Sequence, residues 1–204
     1  MKTIYFFTIT IFLITINTYS QLDKKTWLVG GTGSFNSYKN EQSFISQQTN
    51  NQIIIVYDYK EIELSAKVGY FFIDKLAIGI TPSFSYSNGI LRDNNLSAAY
   101  ANSFSVGPFA RYYFLKKDKP FNILAEANYQ FGFLRIGRYE KEKGSINRFT
   151  FLVGSEIFFN SSVGMEILLG YKDYNQKMDS PFWGTTKNNG FQVSVGFQFH
   201  LEKL

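Results

Sequence analysis

The sequence predicts an all-β chain: an eight-stranded antiparallel up-and-down transmembrane β-barrel that follows a cleaved signal peptide. Three observations carry this. After Gln21 apolar residues recur at every second position and hardly anywhere at a 3.6-residue period. Short and long connections alternate along the chain. The more polar of the two rows in each strand holds too few charges for a water-facing surface.

The N-terminus comes first. Lys2 precedes the apolar run "IYFFTITIFLITI" over residues 4–16, and Thr18 and Ser20 stand at the −3 and −1 positions of a cleavage site. The expected division is therefore a signal peptide over residues 1–20 and one barrel domain over residues 21–204. With Lys2 gone, the formal charge falls from +5 to +4. Such a mild, dispersed excess is no nucleic-acid footprint, which needs Lys and Arg clustered on one face. The chain has no Cys, which excludes a disulfide framework and a lipidated N-terminal Cys. No later apolar run is long enough for a membrane helix, so any crossing must be made by strands.

The eight strands follow in order. Residues 26–37, "TWLVGGTGSFNS", open with Trp and Val and are dense in Gly, which makes room for large neighbours. Residues 61–72 set Ile62, Leu64, Ala66, Val68, Tyr70 and Phe72 against Glu63, Ser65, Lys67, Gly69 and Phe71. Residues 76–87, "LAIGITPSFSYS", combine β-branched and aromatic residues. Residues 103–115 put Phe104, Val106, Ala110, Tyr112 and Phe114 opposite Ser105, Gly107, Arg111 and Tyr113. Residues 122–137 alternate Ile123, Ala125, Tyr129, Phe131 and Phe133 with Leu124, Glu126, Asn128 and Gln130. In residues 148–160, Phe149, Phe151, Val153 and Ile157 oppose Arg148, Thr150, Leu152 and Glu156. Residues 163–174 oppose Met165, Ile167, Leu169 and Tyr171 to Glu166, Leu168, Gly170 and Lys172. Residues 190–201 end the series with the near-faultless "FQVSVGFQFH".

The links "IDK", "KKDKPF" and "SS" are tight, whereas the four others are long and polar, the first spanning residues 38–60. Tight turns at one end and long loops at the other are the habit of outer-membrane barrels. An even strand number returns both termini to the tight-turn end, expected to be periplasmic. The apolar rows, with Tyr and Phe near their ends, then face lipid, and the sparse polar rows face a lumen just wide enough to be filled by side chains.

Two stretches carry a family resemblance: "VGYFFIDKLAIGI" (residues 68–80) and "VGPFARYYF" (residues 106–114). The chain resembles the small outer-membrane β-barrel domains related to OmpA and OmpX, over its whole mature length and strand number. "SAK" at residues 65–67 replaces the Pro that often precedes the Gly-Tyr-Phe. The resemblance implies an outer-membrane location, lipid as the surrounding partner, and recognition of the last aromatic strand by the barrel-assembly machinery. "LEKL" follows His200, so the terminal residue departs from the family's aromatic one.

The candidate functional set is the inward charged group Glu63, Lys67, Arg111, Glu126, Glu156 and Glu166. It reads either as a gated polar path or as a lumenal ion-pair network, and the narrow lumen favours the network. Four acids face two bases in this set, so it is short of cations. His200 is the sole histidine; it lies on the lumenal row near the periplasmic end and is expected to be a polar residue at a barrel mouth. Without a Ser or Cys partner it supports neither a hydrolase nor a zinc site. No catalytic residue, cofactor or metal is expected. The function expected is a non-enzymatic outer-membrane barrel with a structural role, or a surface role through a ligand held by its long loops. The alternatives are a small porin, a soluble lipocalin-like periplasmic carrier and, last, a lipid-modifying outer-membrane enzyme.

Overall fold

The computed structural model describes residues 22–45, 52–91, 97–117, 119–137, 141–179 and 185–202. The expected signal peptide lies outside the described residues. Eight strands follow one another: β1 (Trp27–Ile45), β2 (Gln52–Ile73), β3 (Leu76–Leu91), β4 (Ser97–Tyr113), β5 (Phe121–Gly137), β6 (Lys141–Phe158), β7 (Val163–Met178) and β8 (Thr185–Leu201). Each pairs antiparallel with its neighbours, and β1 pairs with β8 from Trp27↔Leu201 to Phe35↔Val193, which closes the barrel. Trp27 and Leu201 therefore stand at one end, together with the tight links after Ile73, Tyr113 and Phe158.

The strands outrun the sequence reading at the other end. Most of the segment expected to be a long loop over residues 38–60 is ladder, with Tyr38↔Tyr59 and Ile45↔Gln52 in register. The same correction applies to residues 88–91, 97–102, 141–147, 175–178 and 185–189, read as connection and found as strand. The cause is physical. These stretches are mostly polar or mixed, with no apolar residue at every second position to mark them as strand, and Ile146 and Met178 are isolated inward apolar residues within them.

Burial is inverted relative to a soluble protein. Among the described residues, 34 large hydrophobic side chains are exposed, 12 hydrophobic residues are buried, and 26 polar or charged residues are buried. The exposed row runs from Ile62 to Phe72 on β2 and from Phe191 to Leu201 on β8. Both spans are 11 residues, the length of a tilted membrane strand and about 25 Å of height. Beyond it, at the end away from the tight turns, the outward row turns polar on strand after strand, at Lys60, Asn102, Arg135 and Asn189. At the tight-turn end the belt finishes in edge-on aromatic pairs, Trp27–Tyr70, Tyr70–Phe72 and Tyr112–Phe114, with centroids 5.1–5.3 Å apart.

Two apolar clusters stand inside the barrel. Leu22, Leu28, Phe71, Tyr113, Leu124 and Phe158 pack across the tight-turn end. Leu134, Ile146 and Met178, with Ile136 and Tyr174 against them, pack towards the other. A three-way latch caps the first cluster from outside. Lys117 Nζ binds Asp23 and, at 2.6 Å, Asp74 Oδ2, while the Lys24 amide donates to Asp74 Oδ1 at 2.8 Å. The two-residue turn Asp74–Lys75 needs a positive φ, 68° at Lys75.

Candidate functional site in the barrel lumen

The polar rows converge between the two apolar clusters and arrange themselves in two tiers. The lower tier holds five of the six predicted residues. Arg111, wholly buried, directs Nε at Glu126 Oε2 (2.8 Å) and Nη1 at Glu166 Oε2 (2.7 Å). Lys67 Nζ lies 2.8 Å from the same Glu126 oxygen and 3.4 Å from Glu166 Oε1, to which Thr32 also donates. Glu156 closes the tier. Its Oε2 accepts the Tyr113 hydroxyl at 2.6 Å, and its Oε1 meets His200 Nε2 at 2.7 Å. His200 is thus a buried partner of Glu156, ringed by Phe71, Tyr113 and Phe158, rather than a polar group at an open mouth.

The sixth predicted residue, Glu63, stands apart in the upper tier. It pairs with Arg148 Nη1 at 2.5 Å and Lys172 Nζ at 3.2 Å, and Lys172 also reaches Glu61 Oε2 at 2.8 Å. Gln130 ties this tier to the wall, accepting from Arg148 and donating to the Thr81 carbonyl and Ser83 Oγ, both at 2.9 Å. Arg148 and Lys172 are the cations absent from the predicted set. The signal for them was available, since both fall on lumenal rows and four acids against two bases left charge uncompensated. Among the described residues the lumen holds five buried carboxylates, Glu61, Glu63, Glu126, Glu156 and Glu166, against Lys67, Arg111, Arg148 and Lys172, with His200 beside Glu156.

Every one of these groups sits where the apolar wall removes water, so the pairing is obligatory. An unpaired buried ion costs several kcal/mol. Each Arg is held by acceptors on more than one strand, which fixes its planar fork. A void of about 20 Å³ remains between the tiers, bordered by Glu63, Lys67, Glu126 and Gln130. That is room for about one water. The buried Thr81 Oγ1, Asn128 Oδ1 and Glu126 Oε1 border it without a hydrogen-bond partner, and a water there would satisfy them. Among the described residues, no group of three or more His, Cys, Asp or Glu side chains is placed to hold a metal.

No protein-family model matches the chain, and no curated protein matches it in sequence. Solved structures do. The outer membrane protein OprG from Pseudomonas aeruginosa superposes with a TM-score of 0.53 at 10% identity, over 89% of this chain and 98% of that one. Neisserial surface protein A gives a TM-score of 0.52 at 11% identity, over 85% and 96%. The fold is that of a small outer-membrane β-barrel. Almost the whole of each of these outer-membrane barrels is matched, so the closed antiparallel barrel is the shared architecture. At such identities the shared property is the fold, and the lumenal ion pairs are described from this chain alone.

Proposed function

We propose that this protein is a sealed, non-enzymatic barrel of a Gram-negative-type outer membrane, with both termini periplasmic. Its roles are to anchor and to present: the belt dissolves in lipid, and the strand extensions beyond the polar girdle carry the surface that meets the environment. The observation that carries this reading is the pairing of an aliphatic and aromatic exterior with a lumen closed by fixed ion pairs between two apolar clusters. A porin needs a continuous wet path, and the cross-lumen ion pairs and the two apolar clusters favour a closed lumen instead. A hydrolase needs an activated nucleophile within reach of His200, and His200 is spent on Glu156 and walled in by rings. The β1–β2 hairpin projects furthest beyond the girdle, and loops and projections are where binding specificity concentrates.

Purified protein reconstituted into planar bilayers tests the sealed lumen. The expected record shows no steady single-channel steps, and a stable ohmic conductance would overturn the reading. Heat-modifiable migration in detergent tests the membrane anchor. A protein that stays folded and soluble without detergent would be a soluble barrel instead.

A further inference from the structure

The tight-turn end carries an ordered arc of lysines. Lys25 stands two residues before Trp27, Lys75 two after Ile73, Lys116 two after Phe114 and Lys119 two before Phe121. All four partners are exposed, at 45–55%. The backbone of each lysine therefore lies just outside the apolar belt, within side-chain reach of the level where lipid headgroups begin. Lys24 adds a fifth. The Asp23–Lys117–Asp74 latch gathers the three segments that bear them, so the charges are clustered rather than spread round the rim. The salt bridges at this end among the described residues are those of Lys117 with Asp23 and Asp74; Lys24 lies in the field of Asp74, and Lys25, Lys75, Lys116 and Lys119 take no part in those bridges. The β6–β7 link, by contrast, is the neutral "NSS" over residues 160–162, and Glu202 and Lys203, which follow β8, offset each other in charge.

We infer that this arc, over the turns of β1 to β5, binds the phosphodiester headgroups of anionic phospholipid in the adjoining leaflet. Lysine is a compact, hydrated point charge that suits a diester oxygen at an interface. The neighbouring aromatic residues hold the acyl–glycerol region below it. An electrostatic gain for each lysine near an anionic surface follows from the same geometry. This rests on the belt being lipid-embedded and adds a preferred lipid and a preferred side of the barrel.

The test uses the whole mature protein in phosphatidylcholine vesicles with trace spin-labelled phosphatidylglycerol or phosphatidylcholine. Motionally restricted label should favour phosphatidylglycerol roughly three- to fivefold. The ratio should fall to near one when Lys24, Lys116 and Lys119 become Gln and Lys25 and Lys75 become Asn, which tolerates their positive φ. Neutralising Lys60, Lys177 and Lys187 at the far end should leave it unchanged. Inorganic phosphate at constant ionic strength should not lower it; if it does, the arc is a free-phosphate site and the inference fails. A native ratio of one, or a ratio that survives the five substitutions, also overturns it. Heat-modifiable migration confirms that each variant is folded. Because the vesicles have identical leaflets, the result does not depend on which end faces the periplasm. A barrel that inserts without selectivity sinks this inference alone, and one that does not insert sinks the membrane reading.

Discussion

Arg111 and Glu126 meet in the lower lumen with Nε 2.8 Å from Oε2, and neither is more than 1% exposed. The same oxygen takes Lys67, so one carboxylate compensates two cations in a space without bulk water. Glu126→Gln should therefore destabilise the barrel by about 3–5 kcal/mol, the cost of leaving buried charge uncompensated. The double variant Arg111→Met, Glu126→Leu should lose less than the sum of its single changes. Urea titration of the folded fraction in micelles gives both numbers, and additive losses would mean the pair is not coupled.

The lipid-facing row makes a depth-dependent prediction. Val195 lies near the middle of the β8 belt and Leu201 at its edge. Val195→Arg should cost about 2–4 kcal/mol and Leu201→Arg about 0–1 kcal/mol in phospholipid vesicles. On a water-facing surface both would fall within about 0.5 kcal/mol of neutral, so equal small effects would refute the orientation.

How legible this was differs by region. The outward row of β8, Phe191 to Phe199, could be read because lipid demands an apolar group at every second residue. The ladder from Tyr38 to Ile45 could not, because "YKNEQSFI" carries no apolar residue at every second position. In the lumen, the sequence places Glu63 and Arg148 on inward rows but not in contact. Their meeting spans 85 residues of chain and the width of the barrel, and so depends on register and closure. Lys172 and Glu61, 111 residues apart, depend on them still more.

Glycines give a second contrast. A Cβ on Gly107 would lie 1.9 Å from the Tyr129 carbonyl oxygen, whereas one on Gly31 would meet nothing closer than 3.6 Å. Gly107→Ala should force β4 and β5 apart and cost about 1–3 kcal/mol. Gly31→Ala should be neutral or stabilise by up to about 1 kcal/mol through the lost freedom of the unfolded chain. Thermal unfolding followed by heat-modifiable migration separates the two.

The latch at the tight-turn end responds to pH. The hydrogen bond from Lys117, with the Lys24 amide second, holds the Asp74 carboxyl below the usual Asp range. A depressed carboxylate stabilises the fold above its unfolded value, and the contribution is lost as pH falls through the lower, folded value. Asp23 and Asp74 raise the Lys117 ammonium, so its contribution is present below the ordinary lysine value and lost at more alkaline pH. Backbone hydrogen exchange over residues 22–27 should accelerate, relative to the intrinsic rate, below about pH 4. Asp74→Asn should show the faster exchange already at neutral pH. An acid response that persists unchanged in the variant would assign it elsewhere.

The β1–β8 ladder has a temporal consequence. It joins Trp27 to Leu201, residues from the two ends of the barrel's strand order, so it forms only when all eight strands are present. Until then the Thr32 hydroxyl on β1 cannot reach Glu166 on β7, and the lumenal ions look out through an open side. A half-assembled sheet carrying those ions into the hydrocarbon would meet a steep penalty, and the finished ring meets none. The charges inside the wall thus make premature insertion unfavourable and completion the way out.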